Sequence, residues 1–479
     1  MPEETNSRFG RQKNLNLNLP PMDNSDLDRT IKLLANMVKQ VPNMFDMAKR
    51  NPSFPEIERI VVASIANADS LPEAIGAYDD YAGLIPDWKF VFASDGGAMP
   101  GLSTHRTFSD GSVVRGLFSK KSVIVLDPET REDMNGGRKA VFPIDYSISL
   151  DTQALSYLAP FIDGKSSKLP DDFQEIFSFI ADDRVFVDAV PYMLENLPNI
   201  AHTENIGPVK KRLEGYETLR TIDLPHFRTT GEIRSASTKA EQSQNVDELL
   251  SQMIHDASDP DVRNYLDAQL ARQYAVLLKM ATIQLRNPKM ALVDKLYEFT
   301  EFLDKTLCTI HARETVVAAE YFAKGQKLNF FSRLHKSPSN HLPRLFKALK
   351  NMAWDFFHVR YVEGAATLEG AISKNAKQTP RYFFPSLLTC DKDLVEVIDL
   401  YPLKSYAYKK GARQLIPFPA IDWIARVATD VNGEASLMDR LFSRAAIAKR
   451  ESCRENALDE IHGIVQRLES EFSHAAVHG

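Results

Sequence analysis

Phe383-Phe384-Pro385-Ser386-Leu387-Leu388-Thr389 runs without a break into Cys390-Asp391-Lys392-Asp393-Leu394, and Val395 to Tyr401 continues with helix-like character. An apolar run of strand length that passes at once into a helix reads as a buried parallel strand. Its acids then stand at the carboxyl edge of a sheet, where open α/β folds bind their ligands. A second strand ending in an acid lies far upstream, at Ile148-Ser149-Leu150-Asp151-Thr152-Gln153. Two strand-end acids, with further acids on helices between them, point to a carboxylate cage for a hard divalent metal.

The 479 residues suffice for two or three domains, and 44% hydrophobic with 25% charged residues are the proportions of a globular protein with a sizeable core. A net charge of -6 argues against a chain-wide polyanion-binding surface, while leaving room for a local basic groove. Cys308, Cys390 and Cys453 are too widely spaced for a CxxC motif, and their odd number speaks against a disulfide framework. Reduced cytoplasm is therefore the expected compartment. Residues 1–21 lack the apolar segment of a secretory signal, and no stretch is long and apolar enough to cross a bilayer, so no membrane association is expected.

Residues 1–23 read as a disordered arm. Ser25 and Asp28 resemble a capping box opening a helix with Leu27, Ile31, Leu34, Met37 and Val38 on one face, and a second helix is expected over Ile57–Ala66. Lys89–Ala93, Ser112–Phe118 and Ser122–Leu126 are β-rich and separated by Gly and Asp turns, so 24–140 reads as a small α+β region. The main core is expected over 141–410, with a helical insertion at about 163–290, and 411–479 as a C-terminal helical region. Low hydrophobicity over 229–247 reads as a flexible excursion or a domain-insertion seam. The order of strand, many helices, then strand and helix fits an α/β fold with a large helical component.

Asp151, Asp391 and Asp393 are the strand-end acids, and the helices offer Glu314, Glu320, Asp355 and Glu363. Each has an ordinary alternative. Asp is among the best helix caps, which covers Asp151 and Asp391, and Asp393 suits a first turn. Helical glutamates usually face solvent. Asp355 is less ordinary, because Trp354, Phe356, Phe357 and Val359 surround it and an acid there is costly to bury without a partner. His358, one turn on, reads as a packed or surface histidine. Lys327, Arg333, Lys336 and Arg344 interleave with Phe330, Phe331 and Phe346, a mixture suited either to an RNA backbone with stacking platforms or to a plain amphipathic helix.

Taken together these residues resemble a PIN-like domain, a metal-dependent ribonuclease fold. Ile148-Ser149-Leu150-Asp151-Thr152-Gln153 is similar to its first motif. Val316-Val317-Ala318-Ala319-Glu320-Tyr321 is similar to its helical glutamate motif, with Glu314 in reserve, and Ala353-Trp354-Asp355-Phe356 to its third. Leu387-Leu388-Thr389-Cys390-Asp391-Lys392-Asp393-Leu394 reproduces the Thr-x-Asp-x-Asp motif. PIN domains are usually compact, so the large helical additions are a departure. The resemblance implies a parallel-sheet core and an endoribonuclease with Asp151, Glu320, Asp355, Asp391 and Asp393 as catalytic residues. It implies Mg²⁺ or Mn²⁺ held by Asp151, Asp355 and Asp391, and RNA as partner over Lys327, Arg333, Lys336 and Arg344. A second copy or a regulatory protein would be a further partner, and a toxin or defence role is what it implies for bacterial members. The rival expectation is a non-enzymatic helical scaffold whose acids are caps and surface charges.

Overall fold

The computed structural model describes residues 24–40, 44–50, 53–96, 105–116, 118, 120, 122–137, 144–165, 167–365, 382–411, 415–428 and 431–478. The arm expected over 1–23 lies outside these residues, as do the side chains of the Ser25–Asp28 capping box. The chain divides into two compact units, one formed by residues up to Trp88 with Leu126–Arg138, the other by Lys89–Val125 with Lys139–Gly479. The boundary expected at residue 140 therefore falls elsewhere. The β-rich stretch after Trp88 belongs to the larger unit, because two of its strands pair with strands hundreds of residues downstream.

The smaller unit is helical. Its Phe54–Ala66 helix buries Ile57, Val61 and Ile65, and its Leu71–Tyr81 helix buries Ala74 and Tyr78. Ser70 and Asp127 cap helices by accepting backbone N–H groups of Glu73 and Thr130. Arg131 pairs with Asp79 within the same unit.

The larger unit holds two sheets and most of the helices. The strands are β1 (Trp88–Ser94), β2 (His105–Thr107), β3 (Val113–Arg115), β4 (Ser122–Leu126), β5 (Ile144–Leu150), β6 (Val187–Asp188), β7 (Tyr382–Thr389), β8 (Leu403–Lys409) and β9 (Ile416–Pro419). One sheet has the order β4-β1-β8-β9 and the other β2-β3-β7-β5-β6. In the second, β5 runs parallel to both β7 and β6, whereas β3 is antiparallel to β7 and to β2. The expected parallel core is thus a mixed sheet with an antiparallel edge.

Helices cover the sheets and supply two apolar cores. One gathers the Pro260–Arg286, Leu292–Lys305, Ala312–Lys324 and Leu342–Ala365 helices with the Ile461–His478 helix, which contributes Ile461, Ile464, Leu468 and Phe472. The other packs the Thr152–Ile162, Phe173–Ile180, Val190–Ile200 and Thr203–Arg220 helices on β5. Residues 239–247 of the stretch expected to be flexible belong to a regular helix, Lys239–Ser258, opened by a capping box of Thr238 and Glu241. That helix buries only Val246, Leu250 and Met253, so low hydrophobicity there marks a solvent-facing surface.

Cys308 and Cys453 form a disulfide with Cα atoms 5.9 Å apart, and Cys390 stays free and buried. The odd cysteine count is thus a poor guide, since one buried thiol leaves a pair. Among the described residues, no helix is long and apolar enough to cross a membrane.

Candidate functional site

β5 and β7 are central neighbours in register, with Leu150 opposite Leu388, and the Asp151 N–H donates to the Leu388 carbonyl at 3.1 Å. Both strands give way to helices at the same sheet edge, Thr152–Ile162 and Lys392–Ile398, so Asp151 and Asp391 stand at adjacent strand ends. Each also caps its helix. The Asp151 carboxylate accepts from the Ala154 N–H, and Oδ1 of Asp391 accepts from the N–H groups of Asp393 and Leu394 at 2.9 and 3.2 Å. Capping and lining a site are therefore compatible, because a cap engages only one face of the carboxylate.

Thr389 explains why a threonine belongs two residues before Asp391. Fully buried, it accepts the Asp391 N–H on its hydroxyl oxygen at 3.0 Å, and the same hydroxyl favours the charged form of the Asp151 carboxyl. One hydroxyl thereby ties the two strand ends together.

A cavity of about 360 Å³ opens over these strand ends. Asp151, Asp391, Asp393, Asp355 and Glu195 line it, with Arg333, Asn351 and His358 among the other polar walls. Asp355 reaches it from the Leu342–Ala365 helix and Glu195 from the Val190–Ile200 helix that follows β6. Glu195 accepts a hydrogen bond from the Thr152 hydroxyl.

Burial and neighbouring acids raise the proton affinity of Asp151 and Asp355. Burial pushes Asp151 up to about 7, its bonds to Ala154 and Thr389 oppose that, and the charges of Asp391 and Glu195 add to it. Burial also lifts Asp355 well above the carboxylate range, with Asp391, Asp151 and Glu195 contributing and Arg333 pulling the other way. Burial raises Glu195 too, against its bond to Thr152. Unneutralised, the cluster is electrostatically uncomfortable at neutral pH.

Four of the five acids expected at the site line this cavity, and Glu320 does not. Its carboxylate pairs with Lys324 at 2.6 Å and Arg426 at 3.1 Å, so its helix turns it to a surface ion pair. Glu314 is also elsewhere. Burial opposes its charge, but the Arg360 guanidinium at 2.5 Å and nearby His311 hold it well below the usual range. The acid missed in the sequence is Glu195. Nothing local marks it, since its position depends on β6 pairing beside β5.

Of the expected RNA contacts, Lys327, Arg333, Lys336 and Arg344 are all exposed, and Arg333 alone of them lines the cavity. The aromatic platforms expected beside them are not available. Phe331 is fully buried and stacks on Tyr321 with ring centres 4.1 Å apart, Phe330 packs on Phe331 and Phe356, and Phe346 leans on Phe472.

Among the described residues, no three His, Cys, Asp or Glu side chains converge closely enough to enclose a cation by themselves. Oxygen donors nevertheless suit Mg²⁺, which keeps several waters and binds through one or two carboxylates. Mutually repelling buried carboxylates beside an unpartnered imidazole nitrogen are a donor set that a cation would satisfy. No protein-family model matches this chain, and neither a curated protein nor a solved structure matches it.

Proposed function

We propose that this protein is a Mg²⁺- or Mn²⁺-dependent endoribonuclease built on a PIN-like core with large helical additions. The observation that carries this reading is the gathering of Asp151, Glu195, Asp355, Asp391 and Asp393 around one cavity at the carboxyl edge of β5 and β7. Asp151, Asp355 and Asp391 would hold the cation, with Glu195 taking the part that the resemblance gave to Glu320. A bound divalent ion supplies an activated water and neutralises charge on the scissile phosphate. The chain's own groups then orient and exclude. Thr389 and the two helix caps fix Asp151 and Asp391, and Arg333 at the cavity offers a planar fork to a phosphate oxygen. With Phe330 and Phe331 buried and Phe346 packed on Phe472, the surface would grip RNA mainly through exposed Lys327, Arg333, Lys336 and Arg344, giving a salt-dependent contact with little base stacking. A toxin or defence role extends this reading and rests on the sequence resemblance alone, as a second copy or regulatory partner and a cytoplasmic setting rest on the sequence alone.

The scaffold reading keeps one specific support, that Asp151 and Asp391 both cap helices. Asp391→Asn separates the two, because Asn caps nearly as well but carries no charge. Purified protein is incubated with single-stranded RNA and Mg²⁺ or Mn²⁺, with chelator as control. The expected outcome is metal-dependent cleavage, lost in a folded Asp391→Asn variant. Equal cleavage in the variant, or none by the wild type on any RNA, would favour the scaffold.

A further inference from the structure

His358 is 2% exposed, yet its ring forms part of the cavity wall. It lies one helical turn after Asp355, so both side chains address the same space. Its Nε2 is buried with no hydrogen-bond partner. In the Nδ1–H tautomer of the neutral ring, Nε2 presents a lone pair. Burial holds this histidine neutral by lowering its proton affinity to about 4.

That lone pair faces a carboxylate. Nε2 stands 3.9 Å from Oε2 of Glu195, too far for a hydrogen bond, and in that tautomer no donor lies between two acceptors. A buried acceptor of this kind costs free energy unless something satisfies it. Imidazoles that bind metals commonly hold their other ring N–H against a backbone carbonyl or carboxylate, and the Pro191 backbone is the group that bears on the charge of this ring. A cation at roughly 2.1 Å from each atom would bridge the gap.

We infer that His358 Nε2 and Glu195 form an imidazole–carboxylate subsite on the cavity wall that selects a transition-metal dication such as Mn²⁺ over Mg²⁺. Nitrogen ligation favours first-row transition metals, whereas an all-oxygen cage suits Mg²⁺. This rests on reading the cavity as a cation site, and it changes what that site prefers.

The test is pulsed electron paramagnetic resonance of full-length protein loaded with Mn²⁺ alone, with wild type labelled with ¹⁵N-histidine for comparison. The expected signature is an imidazole ¹⁴N coupling to bound Mn²⁺ that converts to ¹⁵N on labelling and vanishes in His358→Leu. Mn²⁺ affinity should fall by about tenfold or more in that variant, with Mg²⁺ affinity from competition changing far less. Glu195→Gln, should the Leu variant fail to fold, should likewise weaken Mn²⁺ more than Mg²⁺. Bound Mn²⁺ without nitrogen coupling in the wild type would overturn the subsite and leave the oxygen-cage reading standing. Coupling that persists in folded His358→Leu would also overturn it. No Mn²⁺ binding by the wild type at millimolar metal would overturn both readings.

Discussion

Replacing Asp151 with Asn should stabilise the metal-free protein at neutral and alkaline pH. Burial and the neighbouring acids raise the Asp151 carboxyl from 3.8 to about 7 in the folded protein. A folded state that keeps its proton while the unfolded chain has lost it becomes less stable as pH rises, here from near 4 until about 7. A shift of about three pH units at 1.36 kcal/mol each amounts to at most about 4 kcal/mol above that window. The substituted asparagine cannot ionise, and its side-chain oxygen can still accept from the Ala154 N–H. The stability difference between variant and wild type should therefore be small near pH 4 and grow toward pH 8, with the variant the more stable. Urea unfolding in chelator at a series of pH values, followed by circular dichroism, measures this directly. Adding Mn²⁺ at pH 8 should narrow the gap, because only the wild-type carboxylate gains a counter-charge there. Parallel pH profiles for the two proteins, or a less stable variant at pH 8, would refute the reasoning.

Glu320→Gln should leave metal-dependent RNA cleavage unchanged, since its carboxylate pairs with Lys324 and Arg426, and a cleavage time course checks this. Gly215→Ala would put a Cβ 2.9 Å from the Ala159 backbone nitrogen, where the Thr203–Arg220 and Thr152–Ile162 helices meet. Overpacking of that kind should cost about 1–3 kcal/mol, visible as a lowered Tm. Cys453→Ser opens a cross-link spanning 145 residues and should lower stability under oxidising conditions by up to about 5 kcal/mol, with no effect in reductant. Thiol titration of the unreduced wild type in denaturant should find one reactive cysteine, Cys390.

Two parts of the site are legible in the sequence because they are local. The apolar runs before Asp151 and Asp391 pass directly into helices, and a strand followed at once by a helix leaves its last residues at a sheet edge. The aromatic setting of Asp355 likewise marks an acid that needs company. Glu195 is not legible, because its place depends on the pairing of Ile148 with Val187 across the sheet. Glu320 sits in the small, apolar setting that suggested a site acid, but which neighbour its helix face meets is a tertiary matter, and Arg426 meets it. The same limit applies to the strands after Trp88. Alternation and turns identify them, yet only long-range pairing such as Val113 with Thr389 assigns β3 to the sheet that carries the site. His358 looks like any packed histidine until its unpartnered Nε2 is seen facing Glu195 across the cavity wall.

The most direct test is an anomalous difference map from crystals soaked in Mn²⁺ at pH 8, where Asp151 is ionised. The expected result is a peak inside the cavity, with Asp151, Asp355 and Asp391 or Glu195 contributing ligands, and loss of that peak in Asp391→Asn crystals. A cavity without anomalous density at millimolar Mn²⁺, or a peak only at surface carboxylates outside it, would contradict a metal centre at the carboxyl ends of β5 and β7.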